Sequence, residues 1–288
     1  MKIRKILALY VFLFFLPSML LAQNENVDLG MIYKIKQEGQ KNSQIQEMAF
    51  WLTDFIGPRL TGSTGNNQGN EWAKKKMEEL GFQNVRIEAA GDFSRGGWDN
   101  MKSYAAMTRP YYTNFACNPV AWTGSTNGLI KGEVVLINIK SEDDFDTYRG
   151  KISGKIVLIP SVNTYEVNFE PLATRLTDSQ LKDLTQESAP ASGIRPIYDF
   201  AAITTQRELR MKISKFLNDE AVAVILNNSG IFNVPGSGNV NYKSGEKEPV
   251  AELNLSVEAH ARMERLIRQK VPVEMEIEIQ NNFFASPK

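Results

Sequence analysis

The 288-residue chain is 42% hydrophobic and 23% charged, an ordinary globular composition with apolar material for one large or two modest cores. Thirty-three basic residues balance 33 acidic ones, so nothing points to a nucleic-acid partner. One histidine, His260, and one cysteine, Cys117, exclude a zinc site with two imidazoles, any Ser-His-Asp triad that does not use His260, and an internal disulfide.

In chain order, Lys2, Arg4 and Lys5 precede an apolar run over residues 6–21, and a small-residue cleavage site follows between Ala22 and Gln23. Residues 1–22 read as a secretory signal peptide, since a membrane span needs roughly 20 uninterrupted apolar residues. Cleavage leaves 30 basic against 33 acidic residues, a net charge of −3. The reading is of an exported protein, periplasmic or extracellular, with no stable membrane span after cleavage. Cys117, far from the leader, reads as a small buried hydrophobe.

From residue 42 a helical pattern puts Ile45, Met48, Ala49, Leu52, Phe55 and Ile56 on one face, with Ser43 and Gln46 spaced as a capping box. Gly57 and Pro58 end it, because glycine accepts a left-handed cap and proline breaks the ladder. A polar corner, Arg59-Leu60-Thr61-Gly62-Ser63, leads to a second helix predicted over residues 70–80, stopped by Gly81. Val85, Ile87 and Ala89 alternate as a half-buried strand. From residue 124 the texture becomes β-branched and glycine-led: "GEVVLINI", "GKIVLIP", "DEAVAVILNN" and "PVAELNLS" read as strands, with one helix over residues 206–217. This is a mostly-β domain with flanking helices, inserted into the preceding unit. A helix, "SVEAHARMERLIRQK", and a strand alternating Val273, Met275, Ile277 and Ile279 close the chain. That strand has no covering helix after it, and its open edge is an aggregation liability.

Chemical motifs are sparse. "GSTG" and "PGSG" are turns and not nucleophile elbows. "GKISGK" lacks P-loop spacing. Glu142, Asp143, Asp144 and Asp146 lack the EF-hand glycine and closing glutamate and read as a solvated loop. His260 begins no H-x-D pattern and reads as a flank residue of an amphipathic helix. The residues alone offer no catalytic or metal-binding set.

The run "FWLTDFIGPRLTGSTGNNQGNEWAKKKMEELGFQNVRIEAAGDFSRGGW" resembles the opening of the secreted bacterial co-catalytic zinc aminopeptidases, the family that includes plasma glutamate carboxypeptidase. The family's "RGW" is here Arg95-Gly96-Gly97-Trp98. "AWTGSTNGLIKGEVV", "GKISGKIVLI" and "AVAVILNNSG" resemble the entry and core strands of that family's inserted protease-associated domain. "LNLSVEAHARMERLIRQKVPVEMEIEIQNNFF" resembles its return segment.

The resemblance implies an α/β fold. An incomplete amino-terminal flank of a zinc-peptidase α/β domain spans residues 23–123. A mostly-β protease-associated domain with flanking helices follows over 124–255, then a return helix and strand over 256–288. The family's two zinc ions and their ligands would lie beyond Lys288, so the resemblance carries no catalytic or metal residue onto this chain and implies no cofactor within it. Arg59 is the candidate interdomain or cleft-rim contact. The expected function is that of a truncated exported metallopeptidase, inactive alone, whose partner is the missing catalytic domain or a peptide substrate. The full-length relatives hydrolyse peptides with zinc-activated water. The alternative is a stand-alone protease-associated module that binds a peptide or protein.

Overall fold

A computed structural model describes residues 27–89, 91, 93–160, 169–171, 173–185, 200–229, 234, 236–239 and 241–285. The signal peptide predicted over residues 1–22 and its cleavage site fall outside these residues. Two compact units divide the chain, Met1–Gly57 and Pro58–Lys288. Among the described residues no helix is long and apolar enough to cross a membrane.

In the first unit, helix α1 (Leu29–Lys41) is capped by the Asp28 carboxylate, which accepts from the Met31 N–H. Helix α2 (Ile45–Ala49) continues as wider π-helical turns over Phe50–Ile56. There the Thr53 hydroxyl donates to the Ala49 carbonyl, 2.7 Å away, where the ladder loosens. The Ser43 capping box does not form: Gln44 takes the cap position and no side chain closes it. The helix ends at Gly57, with φ +76°, as the Gly-Pro pair requires.

The second unit is an α/β assembly on a nine-stranded mixed sheet. Helix α3 (Thr64–Glu79) leads to β1 (Gly97–Arg109), β2 (Thr113–Asn114), β3 (Cys117–Ala121) and β4 (Ile130–Leu136). Short α4 (Phe145–Tyr148), β5 (Ile156–Leu158), α5 (Asp178–Leu184), α6 (Phe200–Asp219) and β6 (Val224–Asn228) follow. Then come β7 (Ser237–Gly238), β8 (Glu252–Leu255), α7 (Val257–Arg268) and β9 (Glu274–Phe284). The strand order is β2-β1-β9-β4-β5-β6-β8-β3-β7, with β4, β5, β6 and β8 parallel. One face packs Leu158, Leu226, Leu253, Met275 and Ile277 under Ala259 and Met263 of α7. The other packs Val157 and Ile225 against Phe216 and Leu217 of α6, while Phe145 of α4 stacks on Phe216 at 4.6 Å.

Three sequence expectations are corrected here. The closing strand is no edge: β9 pairs antiparallel with β1 on one side and β4 on the other, and Met275, Ile277 and Ile279 are fully buried. Its glutamates form the opposite face, where Lys131 pairs with Glu276 at 3.0 Å and Lys102 with Glu278 at 2.6 Å. Residues 85–89 form no strand, since no described strand ladders against them, and Ile87 is exposed. The acidic stretch at Glu142 is solvent-exposed, as read from the sequence, but it is ordered as a capped turn rather than an irregular loop. The Asp144 carboxylate accepts the Lys140 and Ser141 N–H groups, which lower its pKa, and Phe145 and Tyr148 turn into the core.

Candidate functional site

The polar corner that follows Pro58 welds α3 to the start of β1. Ser63 is 3% exposed, and its hydroxyl accepts the Asn66 N–H at 3.1 Å, so α3 begins at Thr64 and not near residue 70. The Asp99 carboxylate accepts the Thr64 N–H from across the fold at 3.2 Å, placing negative charge at the positive end of the helix. Gly62, with φ +78°, lies so close to β1 that a Cβ on Gly97 would collide with the Gly62 carbonyl. A Cβ on Gly96 would likewise meet the Phe284 carbonyl. The Arg95-Gly96-Gly97-Trp98 stretch is therefore a close-approach surface.

Arg59, the one candidate site residue, lays its stem along α3: its Cδ stands 2.8 Å from where a Cβ on Gly69 would sit. Gly69 is buried beneath it. Behind the corner, Trp98, Ala121, Trp122 and Tyr242 form a small core with Leu60, Phe93 and Phe283. Trp98 donates to the Thr123 carbonyl at 3.1 Å, and Trp122 to the Gly96 carbonyl at 3.0 Å. The Arg95 guanidinium lies 4.8 Å above the Trp122 ring. Ser63 is a helix cap. Asp99 was invisible to sequence reasoning, because nothing local ties it to a helix 35 residues away.

Three ionisable groups lie elsewhere in this unit. Glu252 opens β8 on the α6 face, where the Asn227 amide donates to its carboxylate at 3.1 Å. Burial pushes its pKa up to about 7, and the Asn227 hydrogen bond pulls the other way. Alongside, Asn254 donates to the Ser237 hydroxyl at 2.7 Å and Asn118 to the Val234 carbonyl at 3.2 Å. A glutamate heading an apolar strand was the signal that could have marked this group. His260, expected on a helix flank, is instead fully buried on the inner face of α7. Its Nε2 lies 2.7 Å from the Ile159 carbonyl. Cys117 packs beside the main core, and burial raises its thiol pKa to about 11.

An open cleft of about 270 Å³ lies between residues 218–223 and 247–251, bordered by Asn218, Lys247 and Glu248, without histidine or cysteine. Among the described residues no three His, Cys, Asp or Glu side chains come together as metal ligands. The described residues therefore form no site for the two zinc ions of the resembled family, and the His260 Nε2 faces the Ile159 carbonyl.

No family model matches the sequence, and no curated protein does. Among solved structures, the chain is similar to a peptidase M28 precursor from Shewanella amazonensis SB2B, at 14% identity and a TM-score of 0.53. That match covers 89% of this chain and 51% of the other. A zinc aminopeptidase from Bacillus subtilis is 12% identical with a TM-score of 0.42, covering 83% and 43%. An aminopeptidase from Aneurinibacillus sp. strain AM-1 is 10% identical with a TM-score of 0.42, covering 83% and 46%. The fold is the mixed α/β fold of the M28 precursor, and the chain spans about half the length of these structures.

Proposed function

We propose that these residues are the amino-terminal half of an exported M28-type zinc peptidase: the flank of the peptidase domain over residues 23–123, a protease-associated domain over 124–255 and the return helix and strand over 256–288. The observation that carries the reading is the asymmetric correspondence, which uses 89% of this chain but 51% of the M28 precursor. The motif series from Gly57 to Trp98 agrees with it. On this reading the di-zinc chemistry, the removal of terminal residues from peptides by metal-activated water, belongs to the half of the fold outside these residues. The present half is a rigid flank and cover, with Arg59 at its rim. No observation favours the alternative of a stand-alone peptide-binding module.

The test measures zinc content and aminoacyl-nitroanilide hydrolysis of the purified 288-residue chain, and sequences the DNA beyond the Lys288 codon. Expected are no stoichiometric zinc, no turnover, and a continuation coding an H-x-D motif with further carboxylates. Two tightly bound zinc ions with turnover from this chain alone would overturn the reading.

A further inference from the structure

His260 is the only imidazole in the chain and has no exposed surface. Its Nε2 meets a carbonyl, which only accepts, so Nε2 carries the proton and Nδ1 carries a lone pair. That Nδ1 is buried with no hydrogen-bond partner. The hydrogen bond joins the first turn of α7 to Ile159, just past β5. The strands beneath α7 present Val134, Leu158, Leu226 and Leu255, none of them ionisable. Among the described residues, the ionisable group facing the ring is Glu264, whose Oε2 is 3.9 Å from Nδ1. Arg268 already holds that carboxylate, at 2.6 and 3.0 Å.

We propose that His260 is a proton-sensitive fastener: neutral, it ties α7 to the end of β5, and a second proton on Nδ1 is accepted when α7 lifts from the sheet. A charge at Nδ1 in the closed form would stand in an apolar layer, facing a carboxylate already engaged by Arg268. Burial is the larger influence and lowers the ring's pKa below its ordinary 6.5, against the raising effects of the Ile159 hydrogen bond and Glu264. The closed form then binds fewer protons than the open form. The tie is at full strength above pH 6.5 and is lost as pH falls toward the lowered pKa.

The lone histidine makes the test direct. Long-range ¹H–¹⁵N spectra of the full chain report its tautomer and titration. Hydrogen exchange of the α7 amides between pH 7.5 and 5, corrected for intrinsic rates, reports opening. Expected are the Nε2–H tautomer, titration below 6.5, and opening that grows by up to about tenfold per pH unit below that point. His260→Gln keeps a donor for Ile159, and its α7 opening should lose the pH dependence. Should that variant not fold, Glu264→Gln leaves the ring in place and should move its titration lower still. An Nδ1–H tautomer, titration at or above 6.5, an unchanged pH response in His260→Gln, or an unmoved titration in Glu264→Gln would each overturn the proposal.

Discussion

Gly69 sits in the interior of α3, where alanine would favour the helix by about 1 kcal/mol. The Arg59 stem occupies the space that this methyl group needs. Gly69→Ala is therefore expected to give no gain with Arg59 present and up to about 1 kcal/mol when combined with Arg59→Ala. Urea unfolding of the two single variants and the double variant reads this directly, and additive effects would dissociate Arg59 from Gly69. Glu252 gives a second test at this scale. Its folded pKa of about 7 lies above the ordinary 4.5, so the folded state holds its proton longer than the unfolded state does. Its contribution is full below pH 4.5 and is lost as pH rises through 7, with a ceiling of about 3 kcal/mol. Glu252→Gln keeps an acceptor for Asn227 and cannot ionise. Its stability advantage over wild type should grow from pH 5 to pH 8, and an advantage that stays flat would place the carboxylate in solvent. His260 acts in the opposite direction below 6.5, so each comparison is made at matched pH.

At the level of elements, local chemistry was legible wherever it was self-contained. The stop of α3 at Gly81 was read correctly: the Gly81 N–H meets the Glu78 carbonyl and the Phe82 N–H the Met77 carbonyl, the hydrogen-bond pair of a glycine-ended helix. β4, β5, β6, β8, α6, α7 and β9 all follow runs identifiable from apolar periodicity. β1 was not identified. Register shifts between Asn100 and Lys102, and again between Met107 and Arg109, break its two-residue period, and its Ala105 and Ala106 carry little β signal. Residues 85–89 show the reverse error, a good alternation without a neighbour to pair with. α3 starts six residues before the position that the sequence pattern predicts, because its Asn- and Gly-rich first turns carry weak propensity and hold through Ser63 and Asp99. Ser63→Ala should therefore cost about 1 kcal/mol. Asp99→Ala should weaken the same helix end by a smaller, salt-sensitive amount. Melting of both variants at low and high salt separates the cap from the charge, and equal salt response would merge the two roles.

Across the whole second unit, the decisive pairing was the one that sequence could not supply. β1 and β9 lie about 180 residues apart in the chain, yet register from Gly97 with Phe284 to Arg109 with Glu274. Alternation in β9 identified the buried face correctly, but not that both of its edges were already paired. Arg59 is the same kind of case: its motif was legible, while its role depends on Gly69 and on contacts that sequence spacing does not show. Because β9 joins β1 to β4, it holds the β2-β1 pair to the parallel strands. Shortening Ile277, with no exposed surface, to alanine should cost about 2–5 kcal/mol. Ile87→Ala, at an exposed position, should cost under about 0.5 kcal/mol. A chain ending at Pro272 would go further, uncovering Met107 and Val134 and opening two long strand edges at once. It should lose the cooperative denaturant transition of the 288-residue chain and associate through those edges. If it instead unfolds cooperatively with an unchanged m value, the surface buried by β9 contributes little to the fold, and β1 and β4 are held together by other means.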